Sequence, residues 1–541
     1  MPEYDVVVVG GGHNGLTAAA LLARMGLRVA VLEASSRLGG LASNYTPWPG
    51  FIAPLGAYVL GLYPRRLMER LGIAGKLRLI PKDPGMTVLL GSGRAVRVYR
   101  DPRRTSREFS RYSERDARSY LEWSKVWSLA GSILEVLYTS PPLSLEDVLD
   151  ALARLRSLPF IGERALRLAE TTAWALLAPA SRILSEFFES WEAQSALVED
   201  ALVGELVSPN TPGTGLILAH HYLGVSTGKR GEWAYIEGGM GRLSEVLGEA
   251  VKAHGGDIVL GAGVERVIVA GGRAVGVVLS DGRRFMAKRG VILAVSVKRA
   301  VRMVEEYVPD SVVKRVERLE SRGASAKLII ASRGGPPKPH EPYAWLGEDL
   351  YRSSVVVMPG LDYAEKALAD ALREGLSREP WVSVNVLTRL DPSLAPEGWD
   401  LASVYLQYAL GGRRWGAGER EELLSRAMSV IQEYFRFEGE VKVDVLTPSD
   451  YEALGVPGGH IFHIAMRPDQ LYNYRPLSEA SNHRLPWIKG LYLASASAHP
   501  GGGVSGIPGM LAAEALLEDL GLGRRRKPSI IEAIKNALKS L

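Results

Sequence analysis

The 541-residue sequence contains no cysteine. That absence excludes structural disulfides, thiolate metal sites and any redox-active dithiol. Glutamine is also scarce, occurring only at Gln194, Gln407, Gln432 and Gln470, a pattern resembling the depletion of labile residues in heat-adapted proteins. No apolar run of about 18 residues is present, and the most apolar helix-like run, Ala173 to Ala180, is too short to span a bilayer. A strong excess of one charge is missing as well. The 65 basic and 60 acidic residues leave a net charge of +5, which gives no basis for a nucleic-acid partner. The N-terminus lacks the basic, apolar and small-residue succession of a secretory signal, so a cytoplasmic address is expected. No internal repeat or low-complexity tract is found, and no metal site is expected.

What is present begins at once. Tyr4 to Val9 reads as a strand and runs into Gly10-Gly-Gly-His-Asn-Gly15, then into helix-like residues Leu16 to Met25. Gly10, Gly12 and Gly15 fit G-x-G-x-x-G: the first permits the turn, the second admits a pyrophosphate against backbone, and the third lets helix pack closely on strand. The helix N-terminus then offers unpaired N–H groups and partial positive charge to the phosphates. A second strand, Arg28 to Leu32, ends at Glu33, an acid placed to accept from a ribose hydroxyl. Gly39 and Gly40 form a further glycine pair that lets backbone pass close to a dinucleotide or turns the chain tightly.

The length exceeds what one core usually serves, so at least two domains with a cleft between them are expected. Met86 to Leu90 and Ala95 to Tyr99 read as two strands around Gly91-Ser-Gly93. From Thr105 to about Leu223 the period turns helical, through Tyr120 to Leu137, Leu145 to Leu155, Ile161 to Leu177 and Ser181 to Val203. The aromatic and leucine residues of this insert suit either its own core or an apolar tunnel. The first fold resumes at Glu237-Gly-Gly-Met-Gly241 with a helix to Ala253, then strands at Ile258 to Leu260, Val264 to Val269, Gly276 to Leu279, Arg284 to Met286 and Val291 to Ala294. Alternating runs at Lys327 to Ala331, Val382 to Leu387 and Ser403 to Ala409 point to a second, largely antiparallel sheet, followed by an amphipathic helix from Glu419 to Phe435.

Near the C-terminus, Gly490 to Gly509 reads as a strand, a glycine loop and a helix start. The consecutive glycines Gly501 to Gly503 can lie flat against a planar ring, and the helix behind them favours negative charge on it, as a reduced flavin carries. Only one complete dinucleotide fingerprint is present, because Gly261-Ala-Gly263 lacks the third glycine. A second nucleotide domain is therefore unsupported, and electrons would leave for oxygen, a quinone or a protein acceptor.

With these residues in hand, the chain resembles the FAD-dependent phytoene desaturase and carotenoid isomerase superfamily, especially the branch named after pyridine nucleotide-disulfide oxidoreductase domain-containing protein 2. The likeness spans nearly the whole sequence and is carried by Val9 to Leu16, Glu237 to Gly241, Gly458 to His463 with Asp469 to Leu471, and Ala498 to Gly506. It implies an α/β fold: a discontinuous Rossmann-like FAD-binding domain at 1–84, 232–300 and 483–522, with an inserted α+β substrate domain, partly helical, at 85–231 and 301–482. It implies FAD contacts at Gly10, Gly12, Gly15, Glu33, Gly39 and Gly40, at Val264 for adenine, and at Gly501, Gly502, Gly503 and Val504 for the ring. One departure is clear: Ala496-Ser497 replaces the Gly-Asp of many related flavoproteins.

The expected activity is hydride removal from a small apolar substrate, a polyene or isoprenoid, by desaturation, or its isomerisation on reduced flavin. Amine oxidation is the enzymatic alternative, and a binding or scaffold protein that merely retains FAD is the other. No catalytic residue is assigned. His499 is the first candidate for a polar contact to the ring, with His220, His221, His460 and His463 behind it, and a packed or bracing role is the stronger expectation for each. Finally, residues 523–541 carry four consecutive basic residues, then Ser529 and Glu532 at capping-box spacing and an apolar face of Ile530, Ile534, Ala537, Leu538 and Leu541. Such a helix docks on protein or makes a peripheral contact with anionic membrane.

Overall fold

The computed structural model of the chain describes residues 3–143 and 174–523. The expected helix Leu145 to Leu155, most of Ile161 to Leu177 and the basic tail lie outside the described residues.

Two seven-stranded sheets carry the fold. In the first, Glu3–Val9 lies between Arg284–Leu293 and Val29–Leu32, all parallel, with Asp257–Val259 beyond and Leu491–Leu493 paired to the far end of Arg284–Leu293. Val6, Val7 and Val8 are completely buried. β-Branched residues in an unbroken apolar run suit a parallel strand covered on both faces. The hairpin Val264–Ala270 and Arg273–Leu279 adds an antiparallel edge. Where two short strands are expected near 284–294, the structure has one, because its first part completes that hairpin and its second joins the parallel core.

The helix His13–Arg24 packs between this sheet and the last helix, Ile507–Asp519. Both are Ala- and Leu-rich and buried around most of their circumference. Glycine makes the approach possible: a Cβ built at Gly15 would fall on the Gly10 carbonyl oxygen, and one at Gly509 on that of Asn14.

The second sheet runs Val441–Leu446, Ser325–Arg333, Trp399–Ala409, Leu376–Val386, Ser354–Val357, Met86–Gly91 and Arg94–Val98. Only Ser354–Val357 and Met86–Gly91 pair in parallel. Helix Ala417–Tyr434 covers one face through Leu423, Ala427, Val430 and Ile431, packed with Leu328, Val355 and Val404, whereas Leu361–Glu374 buries Ala364, Ala367 and Ala371 in the other cluster, with Val356 and Trp381.

The helical segment packs beside the cleft. Its longest helix, Glu114–Tyr138, is capped by Ser113, whose Oγ accepts from the Asp116 N–H at 3.1 Å. Trp123 on its buried face meets Trp127 and Phe188, with Phe109 edge-on to Phe188. The expected continuous helix Ser181 to Val203 is broken into Ala180–Phe187, Trp191–Val198 and the short turn Glu199–Ala201. Asp116 is the reason. Its carboxylate accepts from the N–H groups of Glu189 at 2.9 Å and Ser190 at 2.8 Å and from the Ser190 hydroxyl, taking donors that a continuous helix would use. Among the described residues no helix is long and apolar enough to cross a membrane.

The helix contact is testable. Gly509→Ala should lower the melting temperature by a few degrees, the effect of about 1–3 kcal/mol of overpacking in a chain of this size. Gly418→Ala, in a helix where an added Cβ meets nothing within 4 Å, should leave it unchanged or raise it. Both are read by thermal unfolding followed by circular dichroism.

Candidate cofactor and substrate site

A single cavity of about 1580 Å³ extends between the sheets. That exceeds the roughly 300–1,000 Å³ of most small-molecule sites, so it has room for a dinucleotide and a second molecule. Gly10, Gly12, Glu33, Gly39, Gly40 and Val264 line one part; Met86, Tyr120, Val203, Tyr222, Lys327 and Tyr405 line another.

At the first part, the turn after Glu3–Val9 leaves backbone bare. A Cβ at Gly12 would meet only the Gly39 carbonyl oxygen, at 4.0 Å, and one at Gly40 only the Gly12 Cα, at 3.8 Å. Glu33 accepts from the N–H groups of Gly11 at 2.6 Å and Ser35 at 2.8 Å, which fixes its carboxylate on the cavity wall with acceptor capacity to spare. Among the described residues His13 Nε2 and Asn14 Oδ1 are buried without a hydrogen-bond partner, and both residues line the cavity. Open glycine backbone at a helix N-terminus, a fixed acid and orphaned polar atoms fit the phosphates and ribose of a dinucleotide. Val264 lines the wall while its carbonyl accepts from Arg299 Nη2 at 3.1 Å. Gly15 faces the protein instead and acts through the helix contact described above.

The C-terminal glycine loop divides in two. Gly503 and Val504 line the cavity. Gly501 and Gly502 do not: a Cβ at Gly501 would meet Met466 Sδ, and one at Gly502 the ring of Phe462, so these two turn toward protein side chains rather than the cavity. Behind the loop Arg475 is completely buried, donating to the carbonyls of Phe462, Ile464, Ala465, Gln470 and Ala496. Ala496 lines the cavity, and Ser497 Oγ accepts from the Val297 N–H at 3.1 Å, so no carboxylate stands there.

The histidines separate likewise. His499 does not line the cavity; its Nε2 lies 3.1 Å from the Leu137 carbonyl, bracing the loop against the helical segment. His460 is outside too, with Nε2 3.6 Å from Glu205 and Nδ1 accepting from the Phe462 N–H. His220, His221 and His463 do line it. Burial lowers His220 and His463 to about 3 and His13 to about 4.

Several cavity residues carry no local sequence signal that singles them out. Lys327 is 2% exposed, its ammonium donates to the Gly56 and Pro54 carbonyls beside the Tyr58 ring, and burial lowers it to about 7. A lysine amid the apolar run Ser325–Arg333 is the clue available in sequence. Lys82, Glu199 and Asp200 line the same cavity.

Residues 15–513 match the family described as flavin containing amine oxidoreductase. The chain is 32% identical over 549 residues to pyridine nucleotide-disulfide oxidoreductase domain-containing protein 2 of Rattus norvegicus, covering 96% of this chain and 94% of that protein. It is 26% identical over 536 residues to the phytoene desaturase (lycopene-forming) of Pantoea ananas, covering 95% and 99%. Cyclohexylamine oxidase from Brevibacterium oxydans shares the fold, with a TM-score of 0.54 at 18% identity over 96% of this chain and 100% of that one. Together with the glycine turn, the fixed Glu33 and the cavity that joins them, these matches establish that the chain belongs to the flavin-containing amine oxidoreductase family, as an FAD-dependent oxidoreductase of the amine oxidase and phytoene desaturase superfamily.

Proposed function

We propose that this protein desaturates an elongated, largely apolar molecule by removing a hydride and a proton from adjacent carbons. The observation that carries this reading is the continuity of the cavity from the glycine turn to a wall of Leu62, Met86, Val98, Val203, Tyr222 and Phe462. When bound, FAD supplies the two-electron acceptor at its isoalloxazine ring. Glu33 would hold a ribose hydroxyl, backbone at Gly12 and His13 would receive the pyrophosphate, Val264 would offer backbone to adenine, and Gly503 and Val504 would border the ring. The apolar wall orients the substrate and excludes water. Lys327 Nζ takes the proton, since its neutral form is the one that burial favours. Amine oxidation is a second reading, favoured by the two carboxylates, Glu199 and Asp200, on the wall.

The deciding experiment is anaerobic mixing of the FAD-loaded protein with isoprenoid polyenes and with amines. Loss of the flavin's visible absorbance with polyenes, and a product two hydrogens lighter, is expected. Bleaching by amines alone would transfer the protein to the second reading, and isomerised polyene with no bleaching would remove net oxidation.

The cofactor assignment has its own test. Gly12 has φ −70°, which any residue adopts, so Gly12→Leu should fold while its side chain fills the space beside Gly39 and Gly40. FAD released on denaturation should fall to roughly a tenth or less of the unaltered chain's, by the close-approach requirement at that position; undiminished FAD would show that the turn does not hold the dinucleotide.

The proton assignment predicts a pH profile. Lys327 is protonated below about pH 7 and neutral above it, against 10.5 for an ordinary lysine. The rate of flavin reduction should therefore rise with pH through about 7 and level off. Lys327→Met should abolish that limb and slow reduction by roughly a hundredfold or more. A variant with an unchanged profile would remove Lys327 from the chemistry.

A further inference from the structure

One part of the cavity wall is not used by the desaturation reading. Glu199 and Asp200 lie in the turn Glu199–Ala201, Lys82 follows the strand Leu79–Pro81, and all three line the cavity. Glu199 is only 8% exposed, and among the described residues its carboxylate has no hydrogen bond and no ion pair within 4.0 Å. Lys82 Nζ donates to Ser354 Oγ at 2.7 Å; Ser354 and Tyr235 in turn donate to Asn385 Oδ1 at 2.7 and 2.9 Å, so the lysine is anchored from behind. Lys82 and Glu199 nonetheless act on each other. Burial and then the Asp200 charge raise Glu199 while Lys82 opposes them, and burial lowers Lys82 while both acids oppose it. A buried acid and a half-buried lysine thus share a cavity wall close enough to interact but not to touch.

We propose that this wall is a subsite for a hydroxyl group carried by the apolar substrate. A hydroxyl both accepts and donates, so it can take a hydrogen bond from the Lys82 side chain and give one to a Glu199 carboxyl oxygen, satisfying both with one neutral group. A carboxylate in the same place would face Glu199 and Asp200, and an ammonium would face Lys82. A plain hydrocarbon would displace the water that serves these groups and leave them bare, which is how a polar pocket rejects an analogue lacking the hydroxyl. The inference rests on the reading that a largely apolar substrate fills this cavity, and it fixes the chemistry of one end of that substrate.

The test separates binding from oxidation. The FAD-loaded, full-length protein is titrated calorimetrically with octanol, octane, octanoate and octylammonium, and bleaching is scored in separate anaerobic mixtures. Octanol should bind about tenfold or more tighter than octane, as a hydrogen bond to a charged group implies. Glu199→Gln and Lys82→Met should each reduce that preference to about threefold or less while FAD content stays constant. Equal binding of octanol and octane, or preference for either charged probe, overturns the subsite. That comparison is made on the unaltered chain, so it stands even if a variant fails to fold. Octanol preference without bleaching by any apolar compound supports the subsite and counts against the desaturation reading; bleaching by a polyene with no octanol preference does the reverse.

Discussion

The site depends on two helices lying closer together than side chains would allow. A Cβ at Gly15 would strike the Gly10 carbonyl, and one at Gly509 that of Asn14, so the first and last helices and the first turn form one tightly packed body. Glycine in a helix interior costs stability in isolation, roughly 1 kcal/mol relative to alanine, and the contact must more than offset it. What the contact achieves is long-range: it sets the N-terminal turn beside a loop from the other end of the chain. His13 shows the result, because its ring interacts with the Gly503 backbone. A cavity that begins at the first strand can therefore be walled by residues near position 500.

The parts of this arrangement that were legible in the sequence are those written in local period and glycine spacing. The strand, turn and helix at Glu3–Val9 and His13–Arg24, the alternating strands of the second sheet and the helix Ile507–Asp519 all follow from patterns a few residues long. His499 shows why proximity in sequence misleads: Ala496, Gly503 and Val504 reach the cavity, but its own ring turns to Leu137 on another element. Glu199 was illegible for a related reason. It falls where a continuous helix is expected, but the distant carboxylate of Asp116 interrupts that helix at Glu189 and Ser190, and the helix that restarts at Trp191 ends in the turn at Glu199 on the cavity wall.

Buried ionisable groups in and behind this wall form a series ordered by how well the protein satisfies them. Arg475 donates to five carbonyls and burial lowers it only to about 10, so it remains a cation that ties the glycine loop together. Lys327 has two carbonyl acceptors and falls to about 7. Between about pH 7 and 10.5 the unfolded chain binds a proton at this lysine that the folded chain does not, so its contribution makes stability rise with pH across that window. A structural lysine gains nothing from that cost below pH 7, whereas a proton acceptor requires it. Glu199, with no hydrogen bond among the described residues, stands at the far end of the series. Burying such a group without a partner is expensive, which makes an open carboxylate on a cavity wall a feature of binding rather than of folding.

The same reasoning decides what the histidines can do. Burial lowers His13 and His499 to about 4 and His220 and His463 to about 3, with the Arg475 charge adding to the effect at all but His13. At neutral pH these rings are uncharged, so none supplies positive charge to an electron-rich ring or a proton to its products. They can donate or accept single hydrogen bonds, as the unpartnered nitrogens of His13 and His220 on the cavity allow. Arg475 behind the loop does keep its charge near neutrality, because its carbonyl partners satisfy it. Burial brings Lys327 to about 7, so under the proposed desaturation the proton would go to this lysine of the second sheet, while the neutral histidines and Arg475 set the polarity of the glycine loop.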